Sequence, residues 1–260
     1  MKQFFYRLLI ELTNSRWSSI LIKKFAHSKI SNKVIPSFSK VYQINLDEAE
    51  KDVESFSNLH EFFVRKLKAD AREIQEMDNG VISPVDSVIE DIGTIKKDKT
   101  IKVKGKIYSI QEMLGTDTIG EYEEGTYLIF YLSPSHYHRI HSPVAGEIVK
   151  QWTIGEKSYP VNKYGLKYGK SPLSKNYRTI SEVKTSLGWN VAVVKVGAMF
   201  INSIILSHNH KTVDVGEEIA YFSFGSTVVL LFEKDGFQIR NDIKAPYHVK
   251  MGEFIGELKR

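Results

Sequence analysis

The chain contains no cysteine, which excludes disulfides and thiolate metal sites and leaves the redox compartment unmarked. It has no apolar run near the roughly 18 residues of a membrane span. Its first residues are too polar for a signal-peptide core and lack a cleavage-site pattern. Internal repeats and low-complexity tracts are absent, as is any recognisable nucleic-acid-binding motif, so no nucleic-acid partner is expected. Acidic charge falls short of basic charge: 31 Asp and Glu against 36 Lys and Arg give a net charge of +5. That balance suits an anionic partner such as an acidic membrane surface. With 260 residues, 42% hydrophobic and 26% charged, the composition is that of a globular protein with a large core.

The N-terminal stretch is patterned. Phe4, Phe5, Leu8, Leu9 and Leu12 fall at helical spacing, as do Trp17, Ile20, Leu21 and Phe25. Lys2, Arg7, Arg16, Lys23, Lys24, Lys29 and Lys33 punctuate them. This composition predicts a basic amphipathic segment able to lie in a membrane interface, or a helical pair folded onto its own domain or a dimer partner. Residues 1–45 read as helical with a break at Pro36. Residues 46–76 also read as helical, with Asn58-Leu59-His60-Glu61 opening a helix that carries Phe62, Phe63 and Leu67.

From about residue 80 the texture changes. Runs 87–92, 126–132, 146–152, 191–196, 203–206 and 227–232 are rich in Val, Ile and aromatics, and Gly, Pro, Asn and Asp separate them. A short helix is expected at 109–114. The expected fold class is therefore α+β: an N-terminal helical segment, then an antiparallel β-rich catalytic domain. We divide the chain into 1–76, a membrane-interaction or dimerisation region, and 77–260, the catalytic domain. The turns Pro143-Val144-Ala145-Gly146, Asp214-Val215-Gly216-Glu217 and Lys250-Met251-Gly252-Glu253 resemble those of lipoyl and biotinyl sandwich domains.

Phe224-Gly225-Ser226-Thr227 lies between two strand-like runs. A serine hydroxyl there can add to the preceding carbonyl, which glycine leaves open to approach. Elimination and hydrolysis then convert the serine to a pyruvoyl group on a new N-terminus. Gly-Ser-Thr is also a common turn or strand-end triplet. Two distant segments, Ser83-Pro84-Val85-Asp86 and Tyr137-His138-Arg139-Ile140-His141, add the acid and histidines that activate a hydroxyl. His136 extends that cluster. A histidine-bound metal would want a glutamate where Ser142 and Pro143 stand, so no metal is assigned.

At these residues the chain resembles phosphatidylserine decarboxylases, pyruvoyl enzymes that process themselves. The matches are Pro84-Val85-Asp86, the segment 137–141, and Gly225-Ser226-Thr227. Secondary matches are Phe62-Phe63-Val64-Arg65-Lys66-Leu67-Lys68, Tyr159-Pro160-Val161-Asn162, Lys175-Asn176-Tyr177-Arg178 and Val196-Gly197-Ala198-Met199.

The resemblance implies cleavage between Gly225 and Ser226, with Ser226 as nucleophile and source of the covalent pyruvoyl cofactor. His141 would be its base, with Asp86 accepting a hydrogen bond from the other ring nitrogen, and His138 would serve the decarboxylation step. The pyruvoyl ketone would hold phosphatidylserine as a Schiff base while CO2 leaves to give phosphatidylethanolamine. It further implies a homodimer of processed heterodimers, peripheral on the cytoplasmic side of the cell membrane. Two alternatives stay open: a pyruvoyl decarboxylase for another amino-acid head group, and a non-catalytic lipoyl-like binding domain.

Overall fold

The computed structural model describes residues 16–159, 161, 166, 171–198, 203–224 and 226–260, with the backbone alone at 16–19. The amphipathic pattern over residues 1–15, the Trp17 side chain, Gly225, and the parts of the secondary motifs at 160, 162 and 199 lie outside the described residues.

The described residues open with helix α1 (Arg16–His27), a 3-10 turn (Lys29–Val34) and α2 (Ile35–Tyr42). Pro36 sits in the first turn of α2, where its missing N–H interrupts no helical bond. Most of 46–76 is not helical, contrary to the periodicity reading. Only a 3-10 turn (Val53–Ser55) and α3 (Leu59–Phe63) form there. The Asn58 side chain accepts from Glu61 N at 2.9 Å and starts α3. The helix stops because the next backbone groups pair elsewhere: Lys66 O accepts from Glu50 N and Lys68 N donates to Glu48 O, so Leu67 bridges to Ala49.

Beyond residue 80 the protein is mostly antiparallel sheet, which gives the expected α+β class. In chain order the elements are β1 (Gly80–Ile82), β2 (Ser87–Thr94), β3 (Thr100–Val103), β4 (Lys106–Ser109) and α4 (Ile110–Leu114). Next come β5 (Thr126–Leu132), β6 (Arg139–His141), β7 (Gly146–Ile154), α5 (Pro172–Lys175), β8 (Arg178–Lys184) and β9 (Asn190–Gly197). The last are β10 (Ile204–Leu206), β11 (Thr212–Val213), β12 (Glu218–Phe222), β13 (Ser226–Phe232), β14 (Phe237–Ile239), β15 (Tyr247–Val249) and β16 (Phe254–Leu258). An eight-stranded sheet runs β11-β7-β8-β9-β13-β5-β2-β15, and a three-stranded one runs β10-β12-β6.

β13 is buried along its whole length between β5 and β9, which is why its sequence is a continuous apolar run rather than an alternation. Val229 and Leu231 face one apolar core, Val228 and Leu230 the other. Ser226 shares the parity of Val228, so its side chain belongs to that second face.

Three connections cross from the large sheet to the small one at the same end. β5 passes to β6 through 133–138, β9 to β10 through 198–203, and β12 to β13 through 223–225. The register makes this one seam, because Ser226 pairs with both Leu132 and Gly197. The Gly225-Ser226 bond therefore lies in the shortest of the three crossings.

Candidate active site

The seam collects buried polar atoms that lack partners. Among the described residues, Ser226 Oγ, Thr227 Oγ1, Ser203 Oγ and both ring nitrogens of His138 are buried without a hydrogen bond. Natural cores rarely leave such groups unpaired, because each costs about 1–3 kcal/mol. Their clustering marks a place built to receive something else, and a serine-derived group on the chain itself fits it.

His138 ends the crossing before β6. Its carbonyl accepts from Phe222 N at 2.9 Å, and its ring lies 3.8 Å from that of Phe63. Phe63 also stacks on Phe224 at 5.5 Å, two residues before Ser226. His138 is thus tied to the chain leading into Ser226. Complete burial, reinforced by Arg65 and His136, pushes its pKa well below the ordinary value, so the imidazole is neutral. Burial likewise drives His136 to about 4, and His136 Nδ1 accepts from Ser133 N at 3.0 Å. His136 thus shapes the crossing.

His141, three residues on, ends β6, and no hydrogen bond joins it to Ser226. Its Nδ1 bonds the Gly216 carbonyl at 2.7 Å, and its Nε2 lies 3.2 Å from the Tyr137 hydroxyl. The expected Asp86–His141 hydrogen bond is absent. Asp86 instead accepts from Arg72 Nε at 2.8 Å and Met251 N at 2.9 Å. The Gly216 carbonyl supplies what that bond was expected to do: it requires the proton on Nδ1 and makes Nε2 the basic nitrogen, which accepts from the Tyr137 hydroxyl. Burial dominates and lowers the His141 pKa; the Gly216 hydrogen bond and Glu218 oppose it, and Asp86 adds a smaller raising effect through space. Arg72 also binds Glu48 at 2.8 Å, so Glu48, Arg72 and Asp86 form one partly buried ion network.

The secondary motifs converge on the opposite strand. Asn176, fully buried, donates to the Gly197 carbonyl at 2.8 Å and to Tyr159 O at 2.7 Å. Gly197 is Ser226's partner on β9, and a Cβ there would come within 2.4 Å of Ser203 Oγ.

Residues 59–257 match the family model for phosphatidylserine decarboxylase. The chain belongs to the phosphatidylserine decarboxylase family. It is 56% identical over 260 residues to the phosphatidylserine decarboxylase proenzyme of Geobacillus sp. (strain WCH70), covering 100% of both chains. It is 58% identical over 259 residues to the proenzyme of the same name from Anoxybacillus flavithermus, with 99% of this chain and 97% of that one aligned. A Bacillus cereus (strain ATCC 10987 / NRS 248) protein of the same name is 52% identical over 256 residues, 98% and 97% of the two chains.

Sequence reasoning did not single out Arg72, Tyr137, Phe63 or Gly216 for a role at the site. Phe63 was legible as part of a family motif. Arg72 had no local signal, since its partners lie 14 and 24 residues away.

Proposed function

We propose that this protein is a phosphatidylserine decarboxylase made as a single chain and activated by its own Ser226. The observation that carries this reading is the buried, unpartnered Ser226 hydroxyl at the start of β13, directly after the three-residue crossing between sheets. His141 Nε2 takes the hydroxyl proton, and the Ser226 oxygen attacks the Gly225 carbonyl to give an ester. Elimination releases Gly225 as a new carboxylate, and water converts the remaining dehydroalanine to a pyruvoyl group with loss of ammonia. Asp86 stabilises the imidazolium through space.

The pyruvoyl group supplies the electron sink for loss of CO2. The chain's own residues do the rest. Phe63 and Phe224 exclude water. His138, held neutral by burial, has a free ring nitrogen; the arriving anionic substrate favours its protonated form, and it delivers the proton to the carbon that CO2 leaves.

The reading extends to the membrane. Ile20, Leu21, Phe25 and Ile30 are 44%, 67%, 45% and 70% exposed, interleaved with Lys23, Lys24 and Lys29. An apolar ridge flanked by cations suits peripheral attachment to an anionic surface. We place the protein on the cytoplasmic side of the cell membrane.

Intact-mass analysis of active protein tests the central claim. The expected pieces are 1–225 and 226–260, the latter 260 − 225 = 35 residues and blocked at its N-terminus. Active material consisting of one uncleaved chain would overturn it.

A further inference from the structure

Arg65 is only 5% exposed, yet among the described residues no carboxylate pairs with it. The neighbouring charges account for one another: Arg72 and Lys250 serve Glu48 and Asp86, and Arg139 serves Glu218. Arg65 is left without a direct ion-pair partner: burial dominates its electrostatics, and Asp86 and Glu48 act on it only through space. Two of its N–H groups reach carbonyls at long range, Nη1 to Phe62 O at 3.4 Å and Nη2 to Ser135 O at 3.3 Å, and its Nε has no partner. A guanidinium has five donors, so most of its capacity is unused. Leaving a buried charge in that state is costly unless an anion completes it. Its Nη2 bond to Ser135 O ties it to the crossing that ends at His138, and Phe63, two residues before it, packs on the His138 ring at 3.8 Å.

We propose that Arg65 binds the phosphodiester of the substrate head group. This rests on the reading of the substrate as phosphatidylserine. The substrate carries two anionic groups, and reaction chemistry chooses between them. A cation holding the carboxylate would stabilise the charge that departs as CO2 and so favour the ground state over the transition state. The phosphodiester keeps its charge throughout, so holding it orients the substrate without that penalty. Its paired oxygens match the guanidinium fork. The carboxylate is then left toward His138 and the Phe63 and Phe224 rings.

The test begins with Ser226→Ala protein, which cannot process, and measures glycerophosphoethanolamine binding by calorimetry. That probe has the phosphodiester and no carboxylate. Saturable binding is expected, about 10- to 100-fold weaker in Ser226→Ala/Arg65→Met and intermediate with Arg65→Lys. Free serine should not displace it. In processed enzyme, Arg65→Lys should raise KM for phosphatidylserine vesicles more than it lowers kcat. Equal probe affinity with and without Arg65, or displacement by serine, would overturn the proposal. Should Arg65→Met fail to fold, Arg65→Lys alone decides, by the same probe affinity. Probe binding that depends on Arg65 in a protein inert toward phosphatidylserine would instead refute the substrate reading and leave this one standing for another phosphodiester.

Discussion

His138 lies 3.8 Å from Phe63, ring centre to ring centre, and neither of its nitrogens is hydrogen-bonded. His141, three residues away, has both nitrogens engaged. One imidazole is thus free and desolvated beside Phe63, while the other is fixed in one tautomer by the Gly216 carbonyl. The two can divide the work between substrate turnover and self-processing.

That division gives the first prediction. His141→Ala should leave full-length protein. His138→Ala should still cleave but lose on the order of 100- to 10,000-fold in decarboxylation rate. Gel analysis for cleavage and CO2 release for turnover separate the two. Cleavage that survives His141→Ala and fails in His138→Ala would reverse the assignment.

Gly197→Ala should slow self-processing and destabilise the fold by about 1–3 kcal/mol, because its Cβ would crowd Ser203 Oγ across from Ser226. Ser203→Gly in the same chain should restore both. Failure of the double variant to recover cleavage on a time-course gel would argue against this crowding.

Lys195 is fully buried, with Nζ donating to Ser181 Oγ at 2.8 Å and Val193 O at 3.3 Å. Burial pushes its pKa down to about 7, against roughly 10.4 in an unfolded chain. Between those values the unfolded chain binds more protons, so this residue makes stability rise with pH from about 7 to about 10. Lys195→Met should flatten that slope and raise Tm at pH 7 by roughly 5–10 °C. Thermal unfolding of both proteins across that range checks it; parallel slopes would contradict the assignment.

Vesicle binding should depend on α1. Ala26, Ser31 and Ile35 are buried, so truncation through residue 35 would damage packing as well as remove the exposed ridge. Leu21→Ser/Phe25→Ser and Lys23→Glu/Lys24→Glu test the surface more cleanly. Each basic residue near an anionic surface is worth about 1 kcal/mol and is screened by salt. Co-sedimentation with phosphatidylserine vesicles should fall in both variants, and added salt should weaken the wild type. Binding indifferent to lipid charge, salt and both substitutions would refute the membrane role.

The sequence by itself located the strands and nominated the reactive residues. Apolar runs separated by turn formers located β5, β9 and β13 to within a residue or two, because a strand buried on both faces must be apolar throughout. Gly225-Ser226, His138, His141 and Asp86 stood out as candidates because their chemistry is carried by short motifs. Tertiary structure decided what each side chain touches. Residues 48–50 and 66–68 pair as extended chain despite their helical periodicity, since long-range backbone bonds outweigh local propensity. Asp86 went to Arg72, and the Gly216 carbonyl took its expected place at His141. Ser226 reached its seam only because three crossings change sheets at one level. Such contacts join residues far apart in the chain, and no local pattern encodes which distant donor arrives first at a buried carboxylate.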